Sequence, residues 1–180
     1  MCVFQCDHDP GMCKTWDGHS GANACLILEP EELTSGLTEL PADRPSVLRE
    51  VRIVRWMERD DGILQADAPA FFTGSEYDSL STEIQSRATW ATRLGSVPAW
   101  IQSPDEGPGK DWRFLGQLDS GYSFYSPPKT SSQGVWEDPN RSEGRTHYCN
   151  GPNFGDAGIG YIFMRTDGHR PQGWFFWQCS

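Results

Sequence analysis

The chain reads as an α+β domain dominated by antiparallel sheet, and three observations predict it. Short apolar runs bounded by Gly, Pro and Asn recur along its length, the pattern of strands joined by turns. Two such runs close the chain, Ile159-Gly-Tyr-Ile-Phe163 and Gly173-Trp-Phe-Phe-Trp-Gln-Cys179, so its end is a buried sheet element. One stretch alone, Glu76 to Leu94, carries apolar residues at helical spacing. With 180 residues the chain can bury a core without staples, and a single domain over residues 1–180 is expected.

In chain order, residues 2–6 and 23–29 are predicted strands flanking a loop rich in Asp, Gly, His and Pro, the kind of connection that often carries function. Pro30, Gly36, Pro41 and Pro45 make residues 30–46 irregular. Val47 to Met57 alternates apolar residues with arginines, which predicts a strand with one wet face. The helix begins at a Ser75 cap, places acids early and arginines late, aligns Tyr77, Leu80, Ile84, Ala88 and Ala91, and stops at Gly95. Residues 98–102 are expected to be extended and 114–119 a strand, whereas 120–152 is expected to wander as a long aromatic connection. The two terminal strand–polar loop–strand units, 3–28 and 162–177, are alike enough to raise an internal duplication of a half-sheet.

The sequence carries 15 Lys and Arg against 25 Asp and Glu, a net charge of −10, with its arginines interleaved among acids. A phosphate-binding surface needs a positive patch, so neither nucleic acid nor an anionic membrane is an expected partner. No apolar run approaches the roughly 20 residues of a membrane helix. Met1 leads directly into Cys-Val-Phe-Gln with no signal-type segment, so a cytoplasmic protein with reduced thiols is expected.

Six cysteines are present, and the densest chemistry is Cys6-x-His8-x4-Cys13, with Cys2 upstream. Thiolates and an imidazole are ligands zinc prefers, and Cys2 or Cys149 could complete a tetrahedral set. Equally, Cys6 and Cys13 could pack under the loop while Asp7, Asp9 and Pro10-Gly11 build its turn. His147 and Cys149 form a second imidazole–thiol pair, but no oxyanion site or orienting partner accompanies them. Gly155-x-x-Gly158-x-Gly160 precedes a strand rather than a helix, which argues for turn geometry over a phosphate loop, with Asp156 bonding turn amides. Asp17, Asp119 and Asp156 match no calcium-loop or paired acid–base spacing. Trp100, Trp112, Tyr122, Phe124, Tyr125 and Trp136 crowd an otherwise irregular segment, where aromatics serve either a satellite core or a protein-binding surface; Trp100, Trp112, Tyr122, Tyr125 and Trp136 are the partner-binding candidates.

Five segments occur in the order of one bacterial family: Cys6-Asp-His-Asp-Pro-Gly-Met-Cys13 with Trp16-Asp17 and Ser20-Gly-Ala-Asn-Ala24; Arg93-Leu-Gly95; Pro98-Ala-Trp-Ile-Gln102; Phe114-Leu-Gly-Gln-Leu-Asp119; and Gly155-Asp-Ala-Gly158 with Gln178-Cys179. Together they resemble the YwqG-like family, a bacterial domain of unknown function. The resemblance implies an α+β fold of mainly antiparallel sheet. It also implies a longer typical member, which would make this chain N-terminally shortened. Relatives place a Cys-x-x-Cys pair where this chain has Gly109-Lys-Asp-Trp-Arg113, so a metal function tied to that pair does not carry over. The reading that results is a non-enzymatic protein-binding domain of immunity or accessory type. The other reading is a zinc- or thiol-dependent enzyme built on Cys6, His8 and Cys13 with His147 and Cys149.

Overall fold

The structure, a computed structural model, describes residues 1–6, 8, 12–33, 36, 56–126, 136–137 and 145–180, and the side chains of these except 122–126, 136–137 and 145–150. The architecture is α+β and mainly antiparallel sheet. Its centre is a four-stranded sheet with β3 (Arg93–Leu94), β4 (Arg113–Asp119), β8 (Ile159–Arg165) and β9 (Gln172–Gln178) in that order. A hairpin of β1 (Cys2–Gln5) and β2 (Asn23–Leu26) forms a second sheet. The third consists of β5 (Gly121–Ser126), β7 (Arg145–Asn150) and β6 (Trp136–Glu137), so the connection expected to wander over 120–152 contains a sheet. Its aromatic and Thr residues favour strands once a partner strand is present, which local composition cannot supply.

Strand β8 explains why both faces of the central sheet are covered. All of Ile159, Gly160, Tyr161, Ile162 and Phe163 are buried, and successive side chains point to opposite faces. On one face Ile159, Tyr161 and Phe163 join Trp100, Phe114 and Phe176. On the other Ile162 meets Phe154 and Phe175, with Val3, Cys25, Leu118 and Trp177 closing over them. The β1–β2 hairpin thus roofs the second face. Gly173 lets it approach, because a Cβ there would press into the Cys25 side chain and lie 2.5 Å from its carbonyl oxygen. Both terminal units are antiparallel pairs, but β1 pairs only with β2 in short register, whereas β8 lies between β4 and β9; a duplication is not shown.

The predicted single helix over 76–94 is two short ones, α1 (Gly74–Ser79) and α2 (Thr82–Arg87). Ser81 adopts an extended backbone and its hydroxyl accepts the Ile84 amide at 3.3 Å, so it caps a new helix rather than continuing the old one. The start differs too: Thr73 is the cap position and the Gly74 amide donates to Asp105 Oδ1 at 2.8 Å. Tyr77, Leu80, Ile84 and Ala88 nonetheless share one cluster with Phe71, Val97 and Ala99, so the spacing identified the right face. Arg93 and Leu94 leave the helical path because β4 offers them a strand partner, and Ala91 is exposed. Of the strand expected over 47–57, residues 47–55 lie outside the described residues, and Trp56 and Met57 are exposed outside any strand.

Residues 98–102, expected to be extended, are not assigned to a strand, and several of their backbone groups are satisfied by side chains from the sheet. Gln117 Oε1 accepts the Ala99 amide at 3.0 Å, Tyr161 donates its hydroxyl to the Ala99 carbonyl at 2.9 Å, and Gln178 Oε1 accepts the Gln102 amide at 3.0 Å. Buried backbone groups must find partners, and here the fully buried Gln117, Tyr161 and Gln178 replace a ladder. Burial drives the Tyr161 hydroxyl well above the usual tyrosine range.

Candidate functional site: a tryptophan cleft beside a thiol pair

The loop from Lys14 to Ala22 is built by its own polar residues. Asp17 Oδ1 accepts the His19 amide at 2.8 Å, while the Ser20 hydroxyl donates to the Lys14 and Asp17 carbonyls at 2.7 and 2.8 Å and accepts from the Ala22 amide at 3.1 Å. This compact turn lies against β9. A Cβ on Gly18 would stand 2.5 Å from the Trp174 indole, so only glycine allows the contact. Trp177 Nε1 donates to Thr15 Oγ1 at 3.2 Å, the Trp16 ring meets Trp177 edge-on at 6.2 Å, and the His19 ring meets Trp174 edge-on at 4.3 Å.

Between this loop, β9 and residues 102–106 runs a cleft of about 660 Å³ lined by Trp16, Asp17, His19, Glu106, Trp174 and Trp177 among others. Among the described residues no lysine or arginine lines it. Gln178 Nε2 fixes one of its carboxylates by donating to Glu106 Oε2 at 2.7 Å, and donates also to the Ser103 carbonyl at 2.7 Å. Trp16 is 43 % exposed, and the Trp174 Nε1–H is buried without a hydrogen-bond partner among the described residues. The site therefore offers indole rings and two carboxylates.

A second depression of about 570 Å³ adjoins it, lined by Cys6, Cys13, Lys14, Asp17, Ser20, Gly21 and Ala22. Cys6 and Cys13, both half-buried, bring their sulfurs within 3.4 Å. Two sulfurs on one tetrahedral zinc stand about 3.8 Å apart for bonds of about 2.3 Å, so the spacing is near that of a ligand pair. The rest of the expected set is not assembled. His8 is exposed, and among the described residues no group of three His, Cys, Asp or Glu could hold a metal ion. Cys2 begins β1 opposite Leu26, about 13 Å along the strand from Cys6 at the usual rise. Its neighbour Cys25 has its thiol pushed up to about 11, chiefly by burial. His147 and Cys149 lie on β7 in the third sheet, and their side chains are outside those described.

The aromatic candidates divide. Trp100 is 6 % exposed, stacked with Phe163 and Phe176, and donates Nε1 to the Phe71 carbonyl at 2.6 Å, so it is a core residue and presents no face to a partner. Trp112 is half-buried against Trp174, 5.6 Å between rings, with the Arg165 guanidinium 4.9 Å over its face. Tyr122 and Tyr125 lie on β5 and Trp136 on β6, with side chains outside the described set. Trp16, Trp174 and Trp177 were not among the candidates. The last two are indistinguishable from core in an apolar run, whereas Trp16 in a polar loop was the available signal.

No protein-family model, curated protein or solved structure matches the chain.

Proposed function

We propose that the protein is a non-catalytic binding domain whose tryptophan cleft takes an extended segment of another protein, presenting a lysine or arginine side chain. The observation that carries this is the cleft's lining, with the indoles of Trp16, Trp174 and Trp177 beside the carboxylates of Asp17 and Glu106 and, among the described residues, no lysine or arginine. A cation over an indole gains about 0.5–2 kcal/mol depending on desolvation, and the adjoining carboxylates add complementary charge. The net charge of −10 favours a basic partner in the same sense. The aromatic surface expected from the sequence is thereby moved from Trp100 to Trp16, Trp174 and Trp177. Membership of the YwqG-like family, an immunity or accessory context and a cytoplasmic setting belong to this proposal; its support for them is motif likeness and charge.

Among the described residues no helix is long and apolar enough to cross a membrane. The enzymatic alternative keeps the Cys6–Cys13 contact and the depression beside it as support, and would need a base and an oxyanion site at those thiols.

A panel of capped hexapeptides with central Lys, Arg, Glu or Ala, titrated by tryptophan fluorescence and by indole NMR signals, tests the reading. Basic peptides are expected to bind and acidic ones not. Trp16→Ala should weaken binding by more than about 1 kcal/mol without lowering the unfolding temperature. Equal binding of acidic and basic peptides, or indifference to both Trp16→Ala and Asp17→Asn, would remove the proposal. Turnover abolished by Cys6→Ser would promote the thiol enzyme.

A further inference from the structure

The Cys6–Cys13 contact has a chemistry of its own, whatever occupies the neighbouring cleft. The two sulfurs are 3.4 Å apart, and a disulfide needs about 2.05 Å, so bond formation requires an approach of about 1.4 Å. Rotation about the Cα–Cβ bonds of two side chains whose sulfurs are already in contact can supply an approach of this size. Both are half-buried, and both line the open depression next to Lys14, Ser20 and Gly21, so a small thiol or disulfide can reach them. Cys25 differs in its setting. On β2 it packs against Gly173, and burial pushes its thiol up to about 11, which disfavours the nucleophilic thiolate.

We propose that Cys6 and Cys13 form a redox-active dithiol that closes to an intramolecular disulfide, with a low-molecular-weight disulfide of the glutathione type as oxidant. One of the two loses its proton and attacks a sulfur of glutathione disulfide. A mixed disulfide forms and one glutathione thiolate leaves. The other cysteine, deprotonated in turn, attacks the protein sulfur of that mixed disulfide and displaces the second glutathione thiolate. The two cysteines together give up two electrons and two protons, and one glutathione disulfide becomes two glutathione thiols. The product ties the end of β1 to the residue before Lys14 and so anchors the start of the loop that carries Trp16 and His19.

The test uses the full chain. Protein is equilibrated in glutathione buffers from fully reduced to fully oxidised, quenched in acid, alkylated and digested with a protease that cuts before aspartate. Cleavage at Asp7 and Asp9 separates Cys6 from Cys13 and leaves Cys2 identifiable by fragmentation beside Cys6. The expected result is joint loss of alkylation at Cys6 and Cys13, a cross-linked pair of their peptides, and Cys25 still alkylated. In Cys13→Ser, Cys6 is expected to retain glutathione as a stable adduct, since the resolving thiol is gone. The inference is overturned if the wild type keeps both thiols alkylatable in oxidised buffer. It is overturned equally if each accumulates its own glutathione adduct, or if Cys6 bridges to Cys2 or Cys25 instead. The wild-type map decides even where the variant does not fold.

Discussion

The two faces of the central sheet are covered in different ways. One is covered by the segment 97–112 with α1 and α2, where fully buried Gln117, Tyr161 and Gln178 bind the backbone of 99–102 and six large aromatic or aliphatic residues form one cluster. The other is roofed by two four-residue strands and a turn whose hydrogen bonds are mostly local, and it exposes Phe4, Trp16 and Leu26. Buried polar networks that are fully satisfied specify a single arrangement. Short-range turn bonds leave a loop that can open at low cost. Both proposed sites draw on the second side: the thiol pair and the outer wall of the tryptophan cleft come from the chain between β1 and β2, while β9 supplies the other wall.

The contrast breaks most readily at the core. Phe176→Ala removes a ring packed against Trp100, Tyr161 and Phe163, and a loss of about 3–5 kcal/mol in chemical denaturation is expected. Trp16→Ala in the same assay should cost about 1 kcal/mol or less, because the residue is 43 % exposed and its ring contact is the edge-on one with Trp177. Comparable losses would mean that the loop is as integral to folding as the sheet.

Gly173→Ala addresses the seam between the two regions. The added methyl would collide with Cys25 and its carbonyl, so the hairpin must lift from β9, at an expected cost of about 1–3 kcal/mol. Amide exchange should accelerate selectively in β1 and β2 while β8 keeps its protection. Uniform acceleration across β8 would show that the roof and the sheet open as one unit.

The smallest effect is a pH trend. Burial pushes the folded Cys25 thiol up to about 11 from the ordinary value of 9.0, so between these values the folded state holds the proton more tightly than the unfolded chain. Its contribution is complete below pH 9 and is lost as pH rises towards 11. Because the side chain is only half-buried, solvent screening makes the change modest. Wild type should lose more stability across this window than Cys25→Ala, measured by denaturant midpoints, and parallel slopes would contradict the burial of this thiol.

Much of the sheet was legible because its strands announce themselves locally. The run Ile159 to Phe163 is apolar at every position except one glycine, as a strand buried on both faces requires. The Gly155–Gly158 turn was read as backbone geometry, and Gly155 has φ +73° while a Cβ on Gly158 would strike the Phe154 and Gln178 carbonyls. The Gly155 amide, however, donates to Asn153 Oδ1 at 3.1 Å where Asp156 was expected to bond the turn. Helical spacing found the buried face of 77–88 but missed its interruption, since Ser81 is an ordinary helix residue until its backbone turns extended and its hydroxyl caps the next turn.

The sequence by itself determined the α+β class, the strands at both ends and the apolar positions, all properties of residues a few places apart. Tertiary structure decided which tryptophans are core and which line a cleft. Trp100 and Trp16 are chemically identical, and only the approach of β8 and β9 buries the first, while Trp16 meets Trp177 across nearly the whole chain. The Cys6–Cys13 pair belongs to both levels: seven residues of separation permit the contact, and the path of the loop brings the sulfurs together. Spacing limits how far two groups can be apart; only packing determines how near they come.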